Sequence, residues 1–179
     1  MLTQIKGLHH VTSIASSASD NNAFFTKVLG LRRVKKTVNF DAPDVYHLYY
    51  GDEVGTPGSV MTYFPFQNAA RGIRGVGEVG VTSFAIPMGA SAAWGKRLAS
   101  FHIANIVTDK RFGQTRVLFD GPDGDRFALV ETNDARAPWT GGGIPAEMAI
   151  RGFQGADMRL ADAGATAEVL RFMGYEATD

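Results

Sequence analysis

The chain has 179 residues, of which 45% are hydrophobic and 20% charged, a balance that suits a packed globular fold and excludes intrinsic disorder. Eighteen Lys and Arg against eighteen Asp and Glu leave no net field to draw in nucleic acid or an anionic membrane. No cysteine is present, which excludes disulfides and thiolate chemistry, and no apolar run approaches the roughly 18 residues of a spanning helix.

The opening MLTQIKGLHHV lacks the apolar core of a signal peptide, so a cytoplasmic protein is the expectation. Residues 8–14 alternate as a strand, with Leu8, His10, Thr12 and Ile14 on one face and His9, Val11 and Ser13 on the other. Ser19 or Asp20 then offers an N-cap for a helix whose buried stripe is Phe24, Phe25, Val28 and Leu29, with Gly30 as its stop. RVKKTVNF, VYHLYYGD and GSVMTYFPF follow as three strands separated by polar turns. The first unit, residues 1–66, therefore reads β-α-β-β-β.

The plan then repeats. GLHHVTSIA at 7–15 returns as GEVGVTSFA at 77–85, and a second unit over 76–134 has a strand at 78–86 and a helix around Trp94 and Leu98. Strands are expected near 103–108, 114–120 and 126–131, with a Gly-Pro-Asp-Gly turn at 121–124. A Gly- and Pro-rich stretch, 135–149, reads as a surface linker. GFQGADMRL at 152–160 opens a third copy over 150–179, whose single strand and helix leave it incomplete. Its apolar residues Phe153, Met158, Leu160, Val169, Leu170 and Phe172 must dock on the earlier units or draw in another chain, which makes a homodimer a reasonable expectation.

His9 and His10 are the first candidates for chemistry, because imidazole on a sheet is a competent ligand for a borderline metal. Neighbours on a strand point oppositely, so one of them at most joins a given site unless a bulge intervenes, and packing is the commoner use of such a pair. Aligned on the repeat, position 10 becomes Gly80 and Gly155, and position 9 becomes Val79 and Gln154. Neither later copy supplies a second imidazole, and Glu131 alternates to the face opposite Ala128. His47 and Tyr49 share a face in VYHLYY, where they either line a cup for an aromatic substrate or simply fill a sheet. His102 ends a helix. Arg32, Arg33, Lys35 and Lys36 read as a solvated strand edge or as steering for an anionic ring acid. Asp120, Asp123 and Asp125 read as a hairpin turn, since the later ligands of a calcium loop are missing.

The repeated β-α-β-β-β unit, the His opening the first strand, LGL after the helix and the run DGPDGDRFALVE resemble the vicinal oxygen chelate superfamily of glyoxalases, bleomycin-resistance proteins and extradiol dioxygenases. LGLRRVKKTVNFDAPDVYHLYYGDEVGTPGSVMTYFPF is similar, more specifically, to the opening half of ring-cleaving dioxygenases that act on hydroquinones. The resemblance implies an α+β fold of paired modules curled into a cup-shaped half barrel. It also implies Fe(II), with Mn(II) as the alternative, held by two histidines and a carboxylate, and an aromatic diol and dioxygen as reactants. His10 matches the first metal ligand and His9 a neighbour acting from behind it. The remaining histidine and glutamate are implied in a fourth unit, which this sequence does not contain, so the chain reads as an N-terminal portion of such an enzyme. A metal-free small-molecule binding module of the bleomycin-resistance type, or an inactive truncated product, are the rival expectations.

Overall fold

The computed structural model describes residues 5–178. The first sheet is built from β1 (His10–Ala15), β2 (Arg32–Val38), β3 (Tyr46–Gly51) and β4 (Val60–Pro65), in the order β1-β4-β3-β2. β1 and β4 run parallel and the other pairs antiparallel. The second sheet contains β5 (Glu78–Ile86), β6 (Val107–Arg111), β7 (Gln114–Asp120), β8 (Arg126–Glu131) and β9 (Gly152–Arg159), in the order β6-β7-β8-β5-β9. Again the first and last strands of the repeat, β5 and β8, pair in parallel. Neither sheet closes into a barrel. The fold is α+β, each repeat curling toward a half-barrel cup.

The helices of the two repeats pack into the core shared with both sheets. α1 (Ala18–Ala23) is capped by Ser17, whose hydroxyl accepts from the Asp20 amide at 3.3 Å, so the cap falls two residues before the earlier of the two expected positions. α1 then widens into a π-helical turn over Phe24–Val28. The wider turn lets adjacent residues Phe24 and Phe25 both face the core, at 4% and 0% exposure. Phe25 stacks on Tyr50 of the first sheet at 4.7 Å, and Phe24 meets Phe127 of the second at 5.7 Å, so one aromatic pair ties the two repeats together. Gly30, at φ +68°, ends the turn, and the side chain of Ile144 occupies the space a Cβ would take there. α2 (Ser91–Ser100) buries Trp94 and Leu98 in the same core.

β6 begins four residues later than the periodicity predicts, because Ile103 donates back to the Leu98 carbonyl at 3.1 Å and His102 and Asn105 take positive φ. The connection between β8 and β9 is less superficial than its composition implies. Ile144, Ala149 and Ile150 are buried, and Trp94 Nε1 donates to the Met148 carbonyl at 2.8 Å. β9 docks antiparallel on β5 and buries Phe153 against Phe84 at 5.2 Å. α3 (Gly164–Phe172) buries none of its residues, leaving Val169 and Phe172 exposed along with Met158 of β9.

The repeat holds a one-residue slip that the letters conceal. On the helix side of the first sheet Val11 pairs with Met61 and Ser13 with Tyr63. On the helix side of the second, Thr82 pairs with Phe127 and Phe84 with Leu129. Val11 thus corresponds to Thr82, and the identical Val-Thr-Ser triplets at 11–13 and 81–83 send their side chains to opposite faces. The structural counterpart of His10 is therefore Val81, which packs with Leu118, Ala128 and Val130 on the outer, concave face, and not Gly80 as aligned from sequence.

Candidate functional site

β1, β3 and β4 present one concave face outside the core. His10, Thr12 and Ile14 come from β1, His47 and Tyr49 from β3, and Thr62 and Phe64 from β4, as the register requires. Alternation decides this, since their neighbours Leu48, Tyr50, Met61 and Tyr63 fill the core. Thr12 Oγ1 and Thr62 Oγ1 hydrogen-bond at 2.8 Å across the parallel pair. The Tyr49 hydroxyl lies 2.8 Å from His47 Nδ1, and the His47 ring packs on Phe64 with centroids 4.0 Å apart. Lys35 Nζ stands over the Tyr49 ring at 5.6 Å.

The electrostatics fix the state of this group. Burial first, then the positive charges of His10 and Lys35, pull the His47 pKa below the ordinary histidine value. Burial also raises the Tyr49 phenol. At neutral pH the pair is therefore a neutral phenol hydrogen-bonded to a neutral imidazole, and either can be the donor. Among the described residues the buried Nε2 of His47 has no partner.

His9 lies one residue before β1, so the pleat does not yet govern it. Its Nδ1 comes within 3.1 Å of His10 Nδ1, the rings meeting edge-on at 86°, and both imidazoles are exposed. The two side chains meet instead of diverging to opposite faces. Two imidazole nitrogens this close share a single proton. When His10 donates that proton, its Nε2 is left with a free lone pair; when His9 donates it, His10 Nε2 carries hydrogen and cannot ligate.

The other carboxylates are used elsewhere. Glu131 Oε1 accepts from the Ser91 amide at 2.9 Å and caps α2; burial would raise its pKa, but its hydrogen bonds to Ser91 and Gly89 outweigh burial and lower it. Asp125 and Asp123, which sequence reasoning left in a hairpin turn, reach back to the first repeat. Ser13 Oγ and the Tyr63 hydroxyl donate to Asp125 at 3.0 and 2.7 Å, and the Ser16 hydroxyl donates to Asp123 at 2.6 Å. No sequence signal marks that clasp, because its partners lie over 60 residues apart. Among the described residues no three His, Asp or Glu side chains converge as a metal set. The described residues thus do not fit a three-ligand iron centre by themselves; His10 offers one nitrogen on an open face.

No family model matches the chain. It is 43% identical over 178 residues to MhqO of Bacillus subtilis strain 168, which bears the name of a ring-cleaving dioxygenase; the match covers 98% of this chain and 57% of MhqO. It is 38% identical over 155 residues to a chlorohydroquinone/hydroquinone 1,2-dioxygenase of Sphingobium indicum, covering 84% of this chain and 48% of that one. The crystal structure of a Bacillus subtilis protein described as a dioxygenase superposes with a TM-score of 0.90 at 44% identity, over 95% of this chain and 55% of that chain. The chain spans about half the length of the relatives it matches.

Proposed function

We propose that this chain, a member of the vicinal oxygen chelate superfamily, works as part of a ring-cleaving dioxygenase whose substrate is a hydroquinone or related aromatic diol. Residues 1–66 and 76–134 act as its first two modules, and 150–179 begin a third. His10 supplies one ligand to Fe(II), or to Mn(II), and the other ligands come from outside the described residues, either from further modules or from a second copy in a homodimer. The observation that carries this reading is the placement of His10. It is an exposed imidazole on a concave face that also holds Tyr49, His47 and Phe64, in a chain similar along nearly its whole length to a named ring-cleaving dioxygenase.

Each residue has a task that needs no metal to state. His9 accepts the Nδ1 proton of His10 and so holds the Nε2 lone pair free. Phe64 and the aromatic rings of β3 give a flat ring an apolar wall. Tyr49, kept neutral by burial, hydrogen-bonds to His47 and so holds that ring in place. Bound metal would supply the contact between diol and dioxygen. A cytoplasmic enzyme is part of the proposal, and no described helix is long and apolar enough to cross a membrane.

The test is an anaerobic Fe(II) titration of the purified chain beside His10→Ala. One imidazole cannot hold iron against water, so stoichiometric binding that is lost in the variant is expected where a second copy completes the ligand set, and binding no tighter than the variant's is expected where the missing ligands belong to further modules. Tight binding of a hydroquinone that ignores both chelator and His10→Ala would overturn the proposal in favour of a metal-free binding module.

A further inference from the structure

The second sheet has a concave face of its own, with a different chemistry. Its counterpart of His10 is Val81, and its floor is open: a Cβ placed on Gly155 meets nothing within 4 Å, and one on Gly80 only the Asp157 carbonyl at 3.7 Å. Around that floor a cavity of about 560 Å³ is lined by Arg74, Arg111, Arg126 and Arg159 with Asp120 and Asp157. The sheet curls so far that Arg111 on β6 pairs with Asp157 on β9, across the three strands between them.

Most of this charge is matched. Arg126 meets Asp120 at 2.7 Å, and Arg159 meets Glu78 at 3.5 Å. Arg116 holds Asp109 at 2.7 Å and stands 3.7 Å from Asp157. Arg74 differs. It donates to the carbonyls of Gly124 at 2.7 Å and Gly80 at 3.4 Å, and among the described residues no carboxylate lies within 4 Å of it. Carbonyl dipoles hold a guanidinium in place without neutralising it, so Arg74 is the arginine of this cavity with no carboxylate in salt-bridge contact among the described residues, Asp120 and Asp125 acting on it only at longer range. Val81 and Met158 line the same space with apolar surface, Met158 being 47% exposed.

We propose that this cavity binds a small organic monocarboxylate, its carboxylate on Arg74 and its apolar body against Val81 and Met158. The excess of arginine excludes a cation. A single guanidinium free of any salt bridge suits one carboxylate better than a multiply charged oxyanion, and the apolar wall selects an organic body. The proposal is independent of the dioxygenase reading, since the cavity shares no residue with the His10 face.

Benzoate titrated into the full chain by calorimetry at fixed ionic strength is the test, with acetate and sulfate as comparison probes. Saturable benzoate binding, tighter than that of acetate or sulfate, is expected. Arg74→Gln, in an exposed connection where the fold is not at stake, should weaken it about tenfold, or about 1.4 kcal/mol. Lys110→Gln removes the same charge from the opposite face of β6 and should leave affinity unchanged. Benzoate that does not saturate, equal affinity in Arg74→Gln, an equal loss in Lys110→Gln, or sulfate binding as tightly as benzoate would each overturn the proposal.

Discussion

Removing one hydroxyl, by Tyr63→Phe, tests whether the two repeats are clasped as described. Tyr63 is 1% exposed, and its ring, 5.1 Å from Phe25, stays in place in the variant. What goes is the donor to Asp125 Oδ2 at 2.7 Å, which leaves a partly buried carboxylate with Ser13 as its remaining hydroxyl partner. A hydrogen bond to a charged group contributes about 1.5–3 kcal/mol, and an orphaned charged acceptor costs at least as much, so a loss of about 2–3 kcal/mol is expected at neutral pH. The pH dependence gives the sharper signature. Burial, with help from Asp123, already raises the Asp125 pKa above its ordinary value, against the pull of the two hydroxyls. A raised carboxyl favours folding below its unfolded pKa, and that contribution is lost as pH rises through the folded pKa. Tyr63→Phe removes a lowering influence and pushes the folded pKa higher still. Its cost should therefore be full well above the raised folded pKa and shrink as pH falls through it, so the change comes above the ordinary carboxylate range of about 4. Urea unfolding of both proteins across that transition measures it. A change under about 0.5 kcal/mol at neutral pH, or a cost that ignores pH, would refute the clasp.

Gly30→Ala should destabilise by about 2–4 kcal/mol, combining the left-handed φ with a Cβ that would overlap Ile144 Cδ1; adding Ile144→Ala should relieve the steric part alone, as thermal unfolding would show. Trp94→Phe strands the half-buried Met148 carbonyl and should cost about 1–3 kcal/mol, while leaving Trp139 as the remaining tryptophan and moving emission to longer wavelength. Asp52 is pulled up by burial, but amide bonds from Val54, Gly55 and Thr56 outweigh that and lower its pKa. A lowered carboxyl stabilises above its unfolded pKa and loses that contribution as pH falls, so the cost of Asp52→Ala, about 1 kcal/mol at pH 7, should fade on acidification below about pH 4.

The sequence by itself determined the elements and the repeat. Alternation in VYHLYY is a local property of a pleated chain, and it puts His47 and Tyr49 on one face and Tyr46, Leu48 and Tyr50 on the other before any folding is known. The isolation of His10 was equally legible, since no second imidazole stands near it in either later copy. Three things waited for the tertiary structure. The matched Val-Thr-Ser triplets differ in facing, because strand register is set by which partners fill the core, Met61 and Tyr63 in one sheet and Phe127 and Leu129 in the other, and not by identity of letters. His9 and His10 touch because the strand begins only at His10, a boundary that hydrogen bonding of β1 to β4 decides. The clasp at Asp125 and the carbonyl contacts of Arg74 depend on atoms brought together from distant parts of the chain, and the energy of a charge is set by those neighbours, of which its own sequence position carries no record.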